Sequence, residues 1–173
     1  MKKIITTCFV AVIVLTLFTV SCKKISYSEI GENISLQDNL AGNWKLDSII
    51  QIDQTAVDKG FPRFVQRLNI TSLFPYNTLS VKFTPGSSKS AGAYAFSNPG
   101  NAPIFVAAAG NYNFFDNGGA ERLKLVGTNR TDSLDFSKAF RVSDNKLALQ
   151  YNRAFFTGSK KVFVSYSFNF SRN

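Results

Sequence analysis

Apolar and polar residues alternate with a period of two through most of this chain after residue 36. The alternation is clearest near the C-terminus, where Val162, Val164, Tyr166, Phe168 and Phe170 share one face. Because successive side chains of a β-strand point to opposite faces of its sheet, this period predicts strands with one buried face. Similar segments lie at residues 44–52, 79–84, 94–97, 111–115, 123–126, 134–136 and 147–151, and in the first of them Trp44, Leu46, Ile50 and Ile52 are predicted to share one face.

Short turn sequences separate these segments, and no long stretch shows the 3.6-residue period of an amphipathic helix. Pro85-Gly86 ends one segment, and Asp116-Asn117-Gly118-Gly119 predicts a hairpin turn. Many short strands in succession are typical of an antiparallel barrel or sandwich. We therefore predict an all-β fold: an up-and-down antiparallel barrel of about eight strands, closed by pairing of the last strand with the first. A β-sandwich is the alternative.

The first 22 residues have a different pattern from the rest of the chain. A positive start, Met1-Lys2-Lys3, precedes an apolar run over residues 4–20 that ends at Ser21-Cys22. These are the parts of a secretory signal. A cysteine after a small residue resembles the lipobox of bacterial lipoproteins, with Thr19 where that family most often has leucine. The alternatives are an ordinary cleaved signal and an uncleaved anchor, although a spanning helix needs about 20 apolar residues.

The lipobox resemblance implies cleavage before Cys22 and a diacylglyceryl group on its thiol. Each buried methylene contributes about 0.8 kcal/mol, so several acyl chains would hold the protein on a membrane. Lys23, where aspartate would imply inner-membrane retention, favours the outer membrane, and Lys23-Lys24 favours its periplasmic face over the cell surface. The predicted organisation is a signal peptide at 1–21, a lipidated cysteine and flexible tether at 22–35, and one domain at 36–173.

Composition excludes several kinds of chemistry. The formal net charge is +9, but the basic residues are scattered with no run longer than two, so no nucleic-acid partner is expected. The chain has no histidine, and its two cysteines are Cys8 in the signal and Cys22. Zinc sites built from Cys and His and Ser-His-Asp triads are therefore excluded from the domain. Its closest carboxylates, Asp132 and Asp135, are expected to face different sides. We expect no enzyme activity, cofactor or metal.

Gly42-Asn43-Trp44 begins the first predicted strand, and residues 35–40 before it favour one helical turn. This arrangement looks like the Gly-x-Trp signature of lipocalin-like (calycin) barrels. The stretch from Leu40 to Leu46, followed by short aromatic strands, is similar to lipocalin-like lipoproteins of unknown function from the Bacteroidota. The resemblance covers roughly residues 36–170. It implies a cup-shaped barrel in which Trp44 plugs the closed end and Arg172 packs over the indole.

The longest connection, at residues 54–77, contains the first candidate ligand contacts: Phe61, Arg63, Phe64 and Arg67. Pro62 suits the start of a short helix, and long connections in compact domains often act as lids or binding loops. The lipocalin resemblance implies that this connection covers the open mouth. It is therefore either a basic and aromatic lid over an anionic or amphipathic ligand, or a helix that closes the barrel with ordinary surface arginines.

Tyrosines on inward faces are the second set of candidate contacts: Tyr94, Tyr112 and Tyr151, with Tyr166 as a fourth. A buried tyrosine hydroxyl needs a hydrogen-bond partner, which a glycan or lipid headgroup could supply. Aromatic residues in strands more often fill a core. Two functions remain open: a non-enzymatic barrel that binds a small hydrophobic or glycan ligand, and an accessory subunit that docks on an outer-membrane transporter or envelope assembly.

Overall fold

The computed structural model describes residues 36–88, 90–116, 121–137, 145–157 and 159–173, with residues 116, 121 and 155–160 described by backbone alone. The predicted signal peptide, Cys22 and the tether lie outside these residues. The described helices are α1 (Leu36–Leu40), α2 (Gln54–Asp58) and α3 (Arg63–Gln66), with a 3-10 turn at Tyr76–Thr78. Most of the remaining described residues are in strands, which confirms the predicted all-β class.

The strands form a closed antiparallel barrel. They are β1 (Gly42–Asp53), β2 (Arg67–Asn69), β3 (Ser80–Pro85), β4 (Ala91–Ser97), β5 (Ala109–Asp116), β6 (Glu121–Val126), β7 (Thr131–Phe136), β8 (Lys146–Thr157) and β9 (Ser159–Arg172). Strands β3 to β9 pair in sequence order, and β1 pairs with both β3 and β9. Eight strands therefore close the barrel, while β2 is an extra strand beside the second half of β1. The predicted barrel is confirmed over the sandwich.

A β-bulge between Leu46 and Ser48 changes which residues of β1 face the core. Trp44 and Leu46 face inward as predicted, but the extra residue then shifts the alternation by one. Ile49, opposite Phe168 on β9, therefore takes the inward position. The prediction that Ile50 and Ile52 share the face of Trp44 is wrong, because after the bulge they lie opposite Ser167 and Ser165 of β9, on the other face from Ile49. Ile52 is nevertheless buried, at 6% exposure.

One end of the barrel is closed by contacts among α1, β1 and β9. Trp44 is fully buried, and its indole Nε1 donates a hydrogen bond to the Leu40 carbonyl at 2.8 Å. The guanidinium carbon of Arg172 lies 4.5 Å from the centre of the indole ring, within range of a cation–π interaction. The same guanidinium donates to the carbonyls of Ala41 (2.7 Å) and Asn39 (2.6 Å). The C-terminal strand is thereby fixed to the start of the domain.

The outer face of this closure carries a small acid-sensitive cluster. Asp47 accepts hydrogen bonds from Ser171 (2.7 Å) and Lys146 (2.9 Å). Burial tends to raise the pKa of Asp47, but these hydrogen bonds and the charge of Lys146 outweigh it, so its pKa lies below 3.8. A carboxyl group whose pKa is lower in the folded than in the unfolded state stabilises the fold at pH values above its unfolded-state pKa. That stabilisation is lost as the pH falls through the folded-state pKa.

We expect the stability difference between the wild type and Asp47→Asn to depend on pH accordingly. The difference in free energy of unfolding should be constant above about pH 5 and should shrink as pH falls below about 4. Urea unfolding followed by circular dichroism across this range measures it. A difference that is unchanged at about pH 2.5 would show that the Asp47 carboxylate charge makes no contribution.

Candidate docking surface at the open end of the barrel

The opposite, open end of the barrel is filled by residues 98–108, the connection between β4 and β5, which we call the plug. Its Ile104, Phe105 and Val106 pack against the core, and the Phe105 ring stacks on Tyr166 with 4.0 Å between ring centres. One interior space is about 10 Å³ and is lined by Leu79, Phe96, Ile104, Val106, Leu134, Leu149, Phe168 and Phe170. That volume holds at most one water molecule.

Hydrogen bonds at both ends hold the plug in place. The buried Tyr76 donates its hydroxyl to the carbonyl of Pro103 at 3.0 Å. The Asn98 side chain accepts from the Ala102 amide (2.9 Å) and donates to its carbonyl (2.7 Å). Backbone groups that would otherwise be buried without partners are thus satisfied.

Asp132 provides the third attachment of the plug. Its side chain is only 4% exposed, and it accepts hydrogen bonds from the Ala107 amide (3.0 Å) and from the guanidinium of Arg130. The Asp132 carboxylate raises the pKa of Arg130. Asp135, by contrast, bonds to Arg122 at 2.6 Å on the outer wall. The two carboxylates face different sides, as expected, and do not form a catalytic pair.

The three candidate tyrosines are not gathered around a cavity. Tyr94 is buried and its hydroxyl has no partner within the described residues, and burial raises its pKa. Tyr112 is fully buried towards the closed end, where its ring contacts that of Phe83 edge-on. Tyr151 accepts a hydrogen bond from Arg130 at 3.2 Å. These side chains fill and border the core, which is the more common role of strand aromatics.

The other sequence candidates come together on the surface beyond the end of β1. Within the described residues, the exposed large hydrophobic side chains all belong to the connection between β1 and β3. They are Val57, Phe61, Phe64, Val65, Leu68, Leu73 and Phe74. Phe64 is 82% exposed, and α3 has no buried residue. We call Val57, Phe61, Phe64, Val65 and Leu68 the tip. The plug packs into the barrel opening, while Phe61 and Phe64, which were expected either to cover a ligand or to belong to a helix that closes the barrel, are exposed.

Basic residues are interspersed with those of the tip along the chain. Lys59, Arg63 and Arg67 are all exposed. The nearby acidic residue Asp58 forms an ion pair with Lys161 of β9 at 3.1 Å. The exposed side chains of this segment are therefore a mixture of apolar and basic groups.

Local sequence explains why the tip projects. Asp53 caps α2 by accepting a hydrogen bond from the Ala56 amide at 3.0 Å. Gly60, with a φ of +67°, makes the turn that follows, a conformation that favours glycine. Pro62 precedes α3, and Gln66 at its other end donates to the Phe61 carbonyl at 2.5 Å. These short-range contacts define a compact turn, while the Phe64 side chain remains outside.

The tip and the signature residues lie at opposite ends of the barrel. Gly42, with a φ of +120°, and Trp44 are at the closed end, where a Cβ on residue 42 would lie 3.1 Å from Arg172. β1 runs from that end to Asp53 over 12 residues, or about 40 Å of strand at 3.3 Å per residue. Phe61, Arg63, Phe64 and Arg67 therefore form one surface that is remote from the predicted point of attachment to the tether.

A second feature beside the tip was not predicted. A groove of about 650 Å³ follows β2 and is lined by Asn69, Thr71, Ser72, Leu73, Phe74, Pro75 and Asn77. In sequence these residues resemble an ordinary polar turn with two apolar positions. Only the fold shows that they surround a common space.

Comparisons with known proteins do not identify a function for these surfaces. Within the described residues, no group of three or more His, Cys, Asp or Glu is placed to hold a metal ion, and no helix is long and apolar enough to cross a membrane. The models of known protein families, the curated proteins and the solved structures contain no match to this chain.

Proposed function

We propose that this protein is a non-enzymatic accessory protein of the bacterial envelope, tethered through Cys22, that docks through its tip on an outer-membrane transporter or another envelope assembly. The observation that carries the proposal is the concentration of exposed large hydrophobic side chains in one connection. Soluble monomers rarely keep such side chains in one patch unless a partner covers it. Aromatic residues and arginine are also enriched at the energetic centres of protein interfaces.

The charges around the tip define the partner's chemistry. Exposed Lys59, Arg63 and Arg67 are interspersed along the chain with the apolar residues of the tip, and the acidic Asp58 is already paired. The complementary surface is an apolar one that also carries Asp and Glu carboxylates. Such complementarity accelerates association and selects among partners more than it increases affinity.

The alternative, a small hydrophobic or glycan ligand held inside the barrel, stays a prediction. In the described conformation the plug packs against the core and the interior space beside it is about 10 Å³, so a ligand held there would have to displace the plug. Displacement would break the bonds from Tyr76 to Pro103 and from Ala107 to Asp132. Docking through the tip requires no rearrangement of this kind.

Site-specific crosslinking in cells that produce the full chain tests the docking proposal. A photoreactive residue at position 64 should give a defined crosslinked species, while the same residue at position 82, exposed on β3, should not. Reversal of two tip charges, Arg63→Glu with Arg67→Glu, should reduce the yield at position 64 about tenfold, because two attractive exposed pairs become repulsive.

The matched control is Lys82→Glu with Lys124→Glu, which makes the same charge change at exposed positions away from the tip. This control should leave the yield at position 64 unchanged. No crosslinked species at position 64, or equal yields at positions 64 and 82, would contradict docking through the tip. An equal loss with both charge-reversed pairs would show that net charge, and not Arg63 and Arg67 in particular, controls the contact.

A further inference from the structure

The groove beside the tip has a lining unlike that of either the barrel core or the tip. Its lining residues include the polar Asn69, Ser72 and Asn77 and the apolar Leu73 and Phe74, with no ionisable residue among them. The groove is open to solvent and has a volume of about 650 Å³.

The absence of charge from this lining narrows the class of ligand. An anionic ligand would call for arginine or lysine in the walls, because these residues form the strong charge-assisted bonds. Carboxamides and hydroxyls instead offer both donors and acceptors. This set matches a neutral molecule that carries many hydroxyl groups.

Phe74 gives the groove a fixed aromatic surface. Its ring is 45% exposed and packs edge-on against Tyr76, with 5.7 Å between ring centres and 78° between ring planes. Tyr76 is itself fully buried and bonded to Pro103 of the plug. The exposed part of the Phe74 ring is therefore held on the rigid core and available to an apolar molecular face.

The backbone around the groove is also fixed before any ligand arrives. The Thr71 amide donates to the Asn69 side chain at 3.0 Å, and the Thr71 hydroxyl accepts from the Ile49 amide at 2.9 Å. The Leu73 amide donates to the Ile70 carbonyl at 3.1 Å. A site that is already ordered loses less conformational entropy on binding.

We propose that this groove binds a neutral saccharide chain. The Phe74 ring packs against the apolar C–H face of one sugar ring, and Asn69, Ser72 and Asn77 form hydrogen bonds with sugar hydroxyls. This activity goes beyond docking and uses a separate set of side chains. The groove also gives the tethered protein a way to hold a glycan beside its docked partner.

Titration of the purified protein with neutral hexasaccharides tests this proposal. The probes are maltohexaose, cellohexaose, xylohexaose and mannohexaose, measured by calorimetry and by saturation-transfer NMR. We expect at least one to bind, and Phe74→Ala to weaken that binding about tenfold, or about 1.4 kcal/mol. Phe64→Ala, which removes an equally large exposed ring from the tip, should leave binding unchanged.

Further variants distinguish a loss of saccharide binding from a loss of folding. Ser72→Ala and Asn77→Ala alter exposed side chains, so each should weaken binding without changing the unfolding transition. Failure of all four probes to bind would overturn the proposal, as would binding that Phe74→Ala does not weaken. Tighter, salt-sensitive binding of an oligogalacturonate would also overturn it, by showing that the basic tip and not the neutral groove holds the sugar. None of these outcomes alters the crosslinking result at position 64, so failure of the two proposals can be distinguished.

Discussion

Replacement of Trp44 by alanine should lower the free energy of unfolding by about 3–5 kcal/mol, the range for loss of a fully buried large aromatic side chain. Trp44 has no exposed surface, and its loss removes both the hydrogen bond to Leu40 and the ring beneath Arg172. The guanidinium would keep its bonds to the Asn39 and Ala41 carbonyls but would border a cavity. We expect the closed end to loosen where β1, β9 and α1 meet.

Urea unfolding followed by far-ultraviolet circular dichroism measures this effect, since the chain has only one tryptophan and the variant loses it as a fluorophore. Phe64→Ala is the matched control, because its ring is 82% exposed and its removal should change stability by less than about 0.5 kcal/mol. Trp44→Phe should fall between the two. A cost below about 1 kcal/mol for Trp44→Ala would contradict the structure of the closed end.

Replacement of Asp132 by alanine should cost about 2–3 kcal/mol and should loosen the plug. The change leaves the Ala107 amide without its acceptor, and an unsatisfied buried donor costs about 1–3 kcal/mol. It also removes the buried partner of Arg130. Because the Arg130 side chain is 48% exposed and can turn to water, the total should stay below the 3–5 kcal/mol typical of a broken buried pair.

Hydrogen exchange at the Ala107 amide, together with urea unfolding, tests the role of Asp132. Asp132→Ala should remove protection at that amide, whereas Asp132→Asn, which keeps an acceptor, should retain part of it. Asp135→Ala is the matched control: its carboxyl lies on the outer wall with 31% exposure and should cost less than about 1 kcal/mol. Equal effects of Asp132→Ala and Asp135→Ala would mean that Asp132 does not hold the plug.

The period-two pattern was sufficient to predict the barrel because burial of one strand face is a local property of sequence. In β9, Tyr166, Phe168 and Phe170 are buried on one face as predicted. The pattern fails where the backbone departs from regular geometry. The residue types around Leu46 and Ser48 do not indicate a bulge, so the inward orientation of Ile49 could not be predicted from the sequence.

The plug could not be predicted because its position depends on partners that are distant in sequence. Residues 98–108 contain proline and glycine and are typical of a surface loop. Phe105 lies in the barrel because Tyr166, 61 positions later, provides a ring on which it stacks. Ala107 is held by Asp132, 25 positions away. These contacts place the plug, and not the connection between β1 and β3, in the opening of the barrel.

The connection that contains the tip was singled out from the sequence, but the exposure of its apolar side chains was not predicted. Phe61, Arg63, Phe64 and Arg67 were expected either to form a lid over a ligand or to belong to a helix that closes the barrel. Gly60 and the contacts of Gln66 instead hold this turn as a projection. Cys22, on which the predicted tether depends, lies outside the described residues. The groove was not predicted, because its residue types are common in turns.

The central claim is that this protein acts from its outer surface and not from the interior of its barrel. Native mass spectrometry of residues 23–173, exported behind a cleavable signal without the lipidated cysteine and purified gently from the producing cells, tests this claim most directly. The filled interior predicts a mass with no hydrophobic adduct. An adduct that organic solvent extracts, and that Asp132→Ala changes while Phe64→Ala does not, would show that the plug opens for a ligand and would contradict the account.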